Sequence, residues 1–318
     1  MRVAVVGLGF GAAVHVPALR RLEDVEVVAL AGSDRARAVD AAEQALVPAG
    51  CGSLPELLAL GVDAVTVAVP PARQAVIASA LLRAGVPVLV EKPLAANVEQ
   101  AEELARLGQS VTSAVDFEFA ELATFRALHE AVTGGGLGAV RSVEVTWRTR
   151  PRSTRAPSSW KLDGARGGGV LGLLGSHVLY LLEWLFGPVE DIVTTHLSSS
   201  RLELTCRAGG APAAVVLDND AGEQRHEWRV ELEQETLTAS NVGLDAVSGF
   251  RLLRQGGEVV EAEARDVHPD GRVAAVSALA ARFVDAVGAG SPASPGLEAG
   301  LRVQRLMARA EAAAAVAS

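Results

Sequence analysis

The sequence predicts an α/β protein. An N-terminal Rossmann domain with a doubly wound parallel sheet precedes an α/β domain with an open, mainly antiparallel sheet. Three observations predict it. The short apolar run Val3–Val6 leads directly into Gly7-Leu-Gly-Phe-Gly. Apolar runs then alternate with helix-length segments as far as Phe117. From Val189 onward, alternating runs follow one another without intervening helices, which is the pattern of an antiparallel sheet.

Val3–Val6 reads as a buried strand, followed by a helix to about Leu22 and a second strand, Val25–Ala31. Gly7, Gly9 and Ala12 stand at G-x-G-x-x-A spacing. Gly7 suits the tight turn and Gly9 lets the backbone approach a pyrophosphate. Ala12 lets the helix pack close to the strand, and the helix N-terminus faces the phosphates. Phe10 and Gly11 complete the loop as candidate cofactor contacts, Gly11 being expected only to loosen the turn. His15 follows in the helix, as a ligand contact or a structural cap.

At the end of the second strand, NAD-binding domains usually carry a carboxylate for the ribose hydroxyls. Here that position is Gly32. Ser33 and Arg35 suit a 2′-phosphate, while Asp34 can reach a ribose. The Ser33-Asp34 pair also reads as the cap of the next helix. The expected cofactor is NADP or NAD, with a slight lean to NADP.

Leu54–Leu60 reads as a short helix with Pro55 in its first turn, and Asp63–Val69 as a strand ending in Pro70-Pro71. A helix over Ala72–Ala84 leads to the strand Val86–Val90 and then Glu91-Lys92-Pro93. Pro93 cannot donate to a ladder, so Glu91 and Lys92 fall at the strand's carboxyl edge, where parallel sheets bind ligands. Asn97 caps a helix to Leu107, and Val111–Phe117 completes the sheet. The expected domains are 1–118 and 119–318.

The second half opens with a helix over Phe119–Val132 and a strand over Val140–Arg148. A basic stretch with Arg148, Arg150, Arg152 and Arg155 leads to Trp160 and Lys161. Gly167-Gly-Gly169 precedes an apolar helix, Val170–Phe186. Strands are expected at Val193–Ser199, Arg201–Arg207, Ala213–Asp218, Glu227–Leu232, Thr236–Ala239, Phe250–Leu253 and Glu258–Ala262. Two helices, Val273–Val287 and Leu297–Ala315, close the chain.

Composition narrows the function. Net charge is −9 and no basic tract stands out, so nucleic acid is not an expected partner. Cys51 and Cys206 are far apart, and no Cys/His set has zinc spacing, so neither a metal nor a disulfide framework is expected. The pair suits a reducing cytoplasm. The helix Val170–Phe186 carries His177 and Glu183 and is short for a membrane span. The Val3–Val6 run is too short for a signal peptide. A cytoplasmic protein with no membrane partner is expected.

Several motifs occur in a fixed order: Gly7-Leu-Gly-Phe-Gly with His15, Val69-Pro70-Pro71, Glu91-Lys92-Pro93, Gly167-Gly-Gly169 and Gly175-Ser-His177. In these the chain resembles, over nearly its whole length, the glucose–fructose oxidoreductase / inositol dehydrogenase / rhizopine catabolism (Gfo/Idh/MocA) family. The resemblance implies hydride transfer between NAD(H) or NADP(H) and an alcohol or carbonyl of a sugar, nucleotide-sugar or cyclitol-like molecule. It implies Lys92 near the nicotinamide and the reacting oxygen, Glu91 orienting the nicotinamide ribose, Pro70 beside the cofactor and His177 as the active-site histidine. Trp160 and Lys161 lie in the stretch that lines the substrate pocket in relatives. A homodimer or homotetramer through the C-terminal sheet is also implied.

The departures point to an atypical branch. Many relatives have an aspartate four residues before the histidine, where this chain has Leu173; Tyr180 replaces another frequent aspartate three residues after it. Tyr180 is a candidate proton donor or a packing residue. An arginine common near Phe117 is absent. Two alternatives therefore stay open beside net redox: transient oxidation serving a lyase, epimerase or glycosidase, and dinucleotide binding without catalysis.

Overall fold

The computed structural model describes residues 1–150, 160–241, 243 and 247–317. It divides into two compact units: Met1–Glu118 with Arg272–Arg302, and Phe119–Gly271 with Val303–Ser318. The first segment of the first unit ends at Glu118. The expected uninterrupted second domain, 119–318, does not occur, because the helix after Arg272 returns to the first unit. Leu279, Ala280 and Phe283 join Val3, Val5, Leu30 and Leu89 in one core. Periodicity in the sequence shows that such a helix has an apolar face, but not which core receives it.

The first unit holds a six-stranded parallel sheet. Its strands are β1 (Arg2–Val6), β2 (Glu26–Ala31), β3 (Ala49–Cys51), β4 (Ala64–Val67), β5 (Val88–Glu91) and β6 (Ser113–Asp116). Their order is β3-β2-β1-β4-β5-β6. Val3–Val6, Ala64–Val67 and Val88–Val90 are buried throughout, as strands covered by helices on both faces require. Each such Val or Leu contributes about 1.5–3 kcal/mol of burial. Short β3 was not legible in the sequence. The strand order reverses beside β1, which makes its carboxyl end the expected crevice for a ligand.

After β1, a π-helical turn at Gly11–His15 runs into α1 (Val16–Leu19). Gly7 has φ +136°, and an ideal Cβ there would stand 2.3 Å from the Ala68 carbonyl oxygen. A Cβ on Gly11 would stand 2.9 Å from Val5 Cγ1. Close helix–strand approach is thus the work of Gly11, and Ala12 is only half-buried. The other helices of this stretch are α2 (Arg35–Gln44), α3 (Leu54–Leu58), α4 (Pro71–Arg83) and α5 (Val98–Gly108). Asp34, Ser53 and Asn97 cap α2, α3 and α5 through side-chain oxygens.

The second unit holds an eight-stranded sheet. It comprises β7 (Val140–Arg148), β8 (Val189–Leu197), β9 (Arg201–Ala208), β10 (Ala211–Asp218), β11 (Arg225–Leu232), β12 (Thr236–Asn241), β13 (Arg251–Arg254) and β14 (Val259–Ala262). The order is β14-β13-β12-β11-β7-β10-β9-β8, antiparallel except for the parallel β7–β10 pair. Alternation places Val143, Val145 and Trp147 on the buried face with Val215, Leu217, Trp228 and Val230. α6 (Ala123–Thr133) and α7 (Ser176–Phe186) pack against this sheet. The opposite face carries ion pairs such as Glu144–Arg229, 3.8 Å, and Arg201–Asp218, 3.5 Å.

Two expected helices begin differently. A 3₁₀ turn at Glu118–Glu121 precedes α6, and Glu263 Oε1 accepts from the Thr124 amide at 2.7 Å, satisfying an N-terminal donor. The apolar segment from Val170 starts as a π-helical turn, Leu171–Gly175, before α7. The α-helical spacing that sets Leu173 above His177 does not hold across that turn. His177, Tyr180 and Trp184 keep α-helical spacing within α7. The closing helices are α8 (Arg272–Ala289) and α9 (Leu297–Ala317). Among the described residues, no helix is long and apolar enough to cross a membrane.

Candidate active site

At the carboxyl edge of the parallel sheet, β5 ends at Glu91 and β6 at Asp116, and the two residues are register partners. Residues paired in register on parallel strands leave the same face, so the carboxyls stand side by side. His15, at the end of the first π-helical turn, reaches this pair. Its Nε2 lies 3.0 Å from Glu91 Oε1 and 3.4 Å from Asp116 Oδ2. His15 and Asp116 are fully buried, and Glu118 nearly so.

Lys92 follows Glu91 and is half-buried. The Lys92–Pro93 bond is cis. The turn is held from α4: the buried Gln74 side-chain amide donates to the Glu91 carbonyl, to the Pro93 carbonyl at 3.1 Å and to the Leu94 carbonyl at 3.2 Å. A polar side chain buried in a helix face is expensive unless bonded, and here it anchors the segment carrying Lys92.

The electrostatics follow from burial and crowding. Burial pushes the Lys92 ammonium below its ordinary pKa, while the Glu118 and Glu91 charges oppose it and Arg272 adds to it. Burial, then the Glu91 charge, pushes Glu118 up to about 7. Burial, then the charges of Glu91 and Glu118, raises Asp116 well above the usual carboxylate range. Burial also works to raise Glu91, but the His15 hydrogen bond and charge, Lys92 and Asp116 outweigh it and hold Glu91 low. Carboxyls forced apart in pKa, beside a lysine with a lowered one, make a site able to hold and move a proton.

The glycine loop fits a dinucleotide. An ideal Cβ on Gly9 meets nothing within 4 Å, so the space over the loop is open where a pyrophosphate would lie. Pro70 caps α4, its carbonyl accepting from the Arg73 and Gln74 amides at 2.9 Å each. Phe10 is half-buried; Arg272 sits 4.7 Å over its ring and His15 meets it edge-on at 5.5 Å. At the end of β2, Asp34 accepts from the Arg37 amide at 3.1 Å, and Arg35 pairs with Glu56 at 2.7 Å. Ser33 is approached instead by Arg73, Nη1 to Oγ 3.5 Å.

In the second unit, His177 is buried among aromatic rings. Its ring centroid lies 4.7 Å from that of Phe119 and 5.8 Å from that of Trp147. Trp147 stacks on His226 at 3.9 Å, and Trp228 donates to His226 Nε2 at 2.9 Å. Burial holds the His226 pKa well below its ordinary value. Tyr180 is buried on α7, Leu173 is half-buried, and Trp160 and Lys161 form a half-buried 3₁₀ turn with Leu162. Of the basic stretch, Arg148 pairs with Glu223 at 2.6 Å and Arg150 is exposed. Arg152 and Arg155 lie outside the described residues.

Sequence reasoning missed Asp116, Glu118, Gln74, Arg73 and Arg272. Asp116 and Glu118 gave the same signal as Glu91, acidic groups ending a buried strand. Gln74 and Arg73 gave none, since a polar residue on a helix normally faces water.

Residues 1–117 match the family model described as "oxidoreductase family, NAD-binding Rossmann fold", and 125–223 match the GFO/IDH/MocA C-terminal domain. An uncharacterized oxidoreductase of Synechocystis sp. is 30% identical across 96% of this chain and 92% of its own. The chain belongs to the Gfo/Idh/MocA oxidoreductase family. It is an NAD-binding oxidoreductase of that family. The levoglucosan dehydrogenase of Pseudarthrobacter phenanthrenivorans is 26% identical over 61% of this chain and 50% of its own. GenD2 from gentamicin A biosynthesis, solved in complex with NAD, superposes with TM-score 0.81 at 25% identity, covering 99% of this chain and 94% of that one. Levoglucosan dehydrogenase in complex with NADH has TM-score 0.83 at 19% identity, covering 100% and 98%; that likeness shows the fold alone.

Proposed function

We propose that this Gfo/Idh/MocA member transfers hydride between a nicotinamide dinucleotide and an alcohol or carbonyl carbon of a sugar, nucleotide-sugar or cyclitol-like substrate. One observation carries the reading: Lys92 stands at the carboxyl edge of β5, in a turn anchored by Gln74, with the charges of Glu118 and Glu91 acting on its ammonium. The family match and the sugar-dehydrogenase relative support the substrate class.

When bound, the nicotinamide supplies the carbon that carries hydride. Gly7, Gly9 and the helix that follows receive the pyrophosphate, and Glu91 orients the nicotinamide ribose. Lys92 takes the proton from a substrate hydroxyl during oxidation, or returns it to the oxygen during reduction, and its lowered pKa suits both directions. In the second unit, His177 and Tyr180 are assigned to the substrate by position in the family, with Trp160 and Lys161 as lining residues.

For the dinucleotide we favour NADP slightly. Gly32 leaves no carboxylate at the end of β2, and Ser33 with Arg73 offers a hydroxyl and a guanidinium to a 2′-phosphate. Arg35 and Asp34 are engaged elsewhere, so Arg73 takes the part first given to Arg35. For assembly we favour a homodimer or homotetramer through the open face of the eight-stranded sheet, which light scattering of the purified chain tests.

Turnover of a panel of sugars, cyclitols and nucleotide sugars with NAD⁺ and NADP⁺, compared between wild type and Lys92→Ala, tests the main reading. An active wild type with an inactive variant supports it. Full turnover by the variant overturns the role of Lys92.

A further inference from the structure

Asp116 is fully buried, and among the described residues no N–H donates a hydrogen bond to either of its carboxyl oxygens. His15 Nε2 is nearer to Glu91, at 3.0 Å, than to Asp116, at 3.4 Å. The register of β5 on β6 sets the Glu91 and Asp116 carboxyls together. Two adjacent carboxyls can hydrogen-bond only when one of them carries a proton, and such pairs titrate as a unit.

We propose that Asp116 is a positioning residue that, with Glu91 and His15, holds one exchangeable proton beside the nicotinamide site, and that binding of the oxidised dinucleotide expels it. This rests on the nicotinamide lying near Glu91 and Lys92, as the proposed function has it. The oxidised ring carries a positive charge and the reduced ring none. A positive charge arriving in a poorly screened site favours the ionised carboxyl pair. Only an O–H bond breaks, and the proton goes to solvent.

During oxidation of an alcohol the pair takes a proton back. The carbinol carbon gives up hydride to the nicotinamide, the hydroxyl proton passes to Lys92, and Lys92 returns to the amine as the Glu91–Asp116 pair is reprotonated.

The groups facing Asp116 are Glu91, Glu118, Lys92 and His15; those facing Glu118 include Glu91, Lys92 and Arg272. Asp116 is held well above the ordinary range, which is the behaviour of the partner that keeps the proton. Glu118, at about 7, is the competing source and must be tested beside it.

The experiment titrates the full chain with NAD⁺ and with NADH in weakly buffered indicator solution near neutral pH, and measures both affinities against pH; NADP⁺ and NADPH serve in the same way. The expected result is release of up to about one proton per NAD⁺ bound and almost none per NADH, with NAD⁺ affinity rising up to about tenfold per pH unit below the pKa of the pair. Asp116→Asn should abolish the release and flatten the NAD⁺ profile while NADH still binds, which also shows that the variant is folded. Glu118→Gln should keep the release. Equal proton release with both cofactor forms in the wild type overturns the proposal with no variant needed. So does release that survives Asp116→Asn or disappears in Glu118→Gln. Failure of every dinucleotide to bind overturns the proposed function itself, which separates the two failures.

Discussion

His15 Nε2 lies 3.0 Å from Glu91 Oε1, and this contact joins the end of the first π-helical turn to the end of the strand that carries Lys92. The glycine loop and the Glu-Lys-Pro turn are thereby tied together by one side-chain pair. With Asp116 and Glu118 close by, the first unit has a buried ionisable cluster at the carboxyl edge of its parallel sheet.

Gly9→Ala should separate folding from binding. Its Cβ meets nothing within 4 Å in the protein, so stability should change by less than about 1 kcal/mol. A methyl group in the space for the pyrophosphate should nonetheless weaken dinucleotide affinity at least about tenfold. Thermal melts with and without cofactor measure both.

Gln74→Leu should destabilise the first unit. The carbonyls of Glu91, Pro93 and Leu94 lose a shared donor, at about 1–3 kcal/mol for buried groups left unsatisfied. Urea denaturation checks the loss. Because Lys92 lies within the released segment, kcat should fall more than cofactor affinity.

Glu118 should leave a signature in the pH dependence of stability. Its folded pKa, about 7, is above the ordinary value of 4.5. The folded state therefore holds a proton that the unfolded chain has lost, and stability falls as pH rises between those limits. The full effect is on the order of 3 kcal/mol. In Glu118→Gln that slope should flatten, as denaturation at a series of pH values between 4.5 and 8 shows.

Lys92→Ala should lower kcat about 10²–10⁴-fold on an identified substrate while dinucleotide affinity changes far less. Lys92→Arg should not restore the rate, since a guanidinium does not give up its proton at working pH. Steady-state kinetics beside direct cofactor titration decides this.

Much of the site was legible where backbone chemistry constrains the residue. Gly7 occupies positive φ against the Ala68 carbonyl, so only glycine fits and the motif announces itself. Glu91 and Lys92 precede a proline that ends a buried strand, which marks a sheet edge. Gly11 was misread because its neighbour is Val5, a strand residue reached only across the fold. The two π-helical turns were invisible because each inserts into an otherwise ordinary helical pattern.

By itself the sequence determined the parallel first sheet, the mainly antiparallel second sheet, the glycine turn and the end of β5 before Pro93, because those follow from local periodicity, backbone sterics and strand punctuation. The tertiary structure alone decided that α8 completes the first core, that Gln74 holds the Lys92 turn, and that His15, Glu91 and Asp116 meet. Such meetings depend on strand register and helix placement, which join residues 76 and 101 positions from His15 and which short-range pattern does not encode.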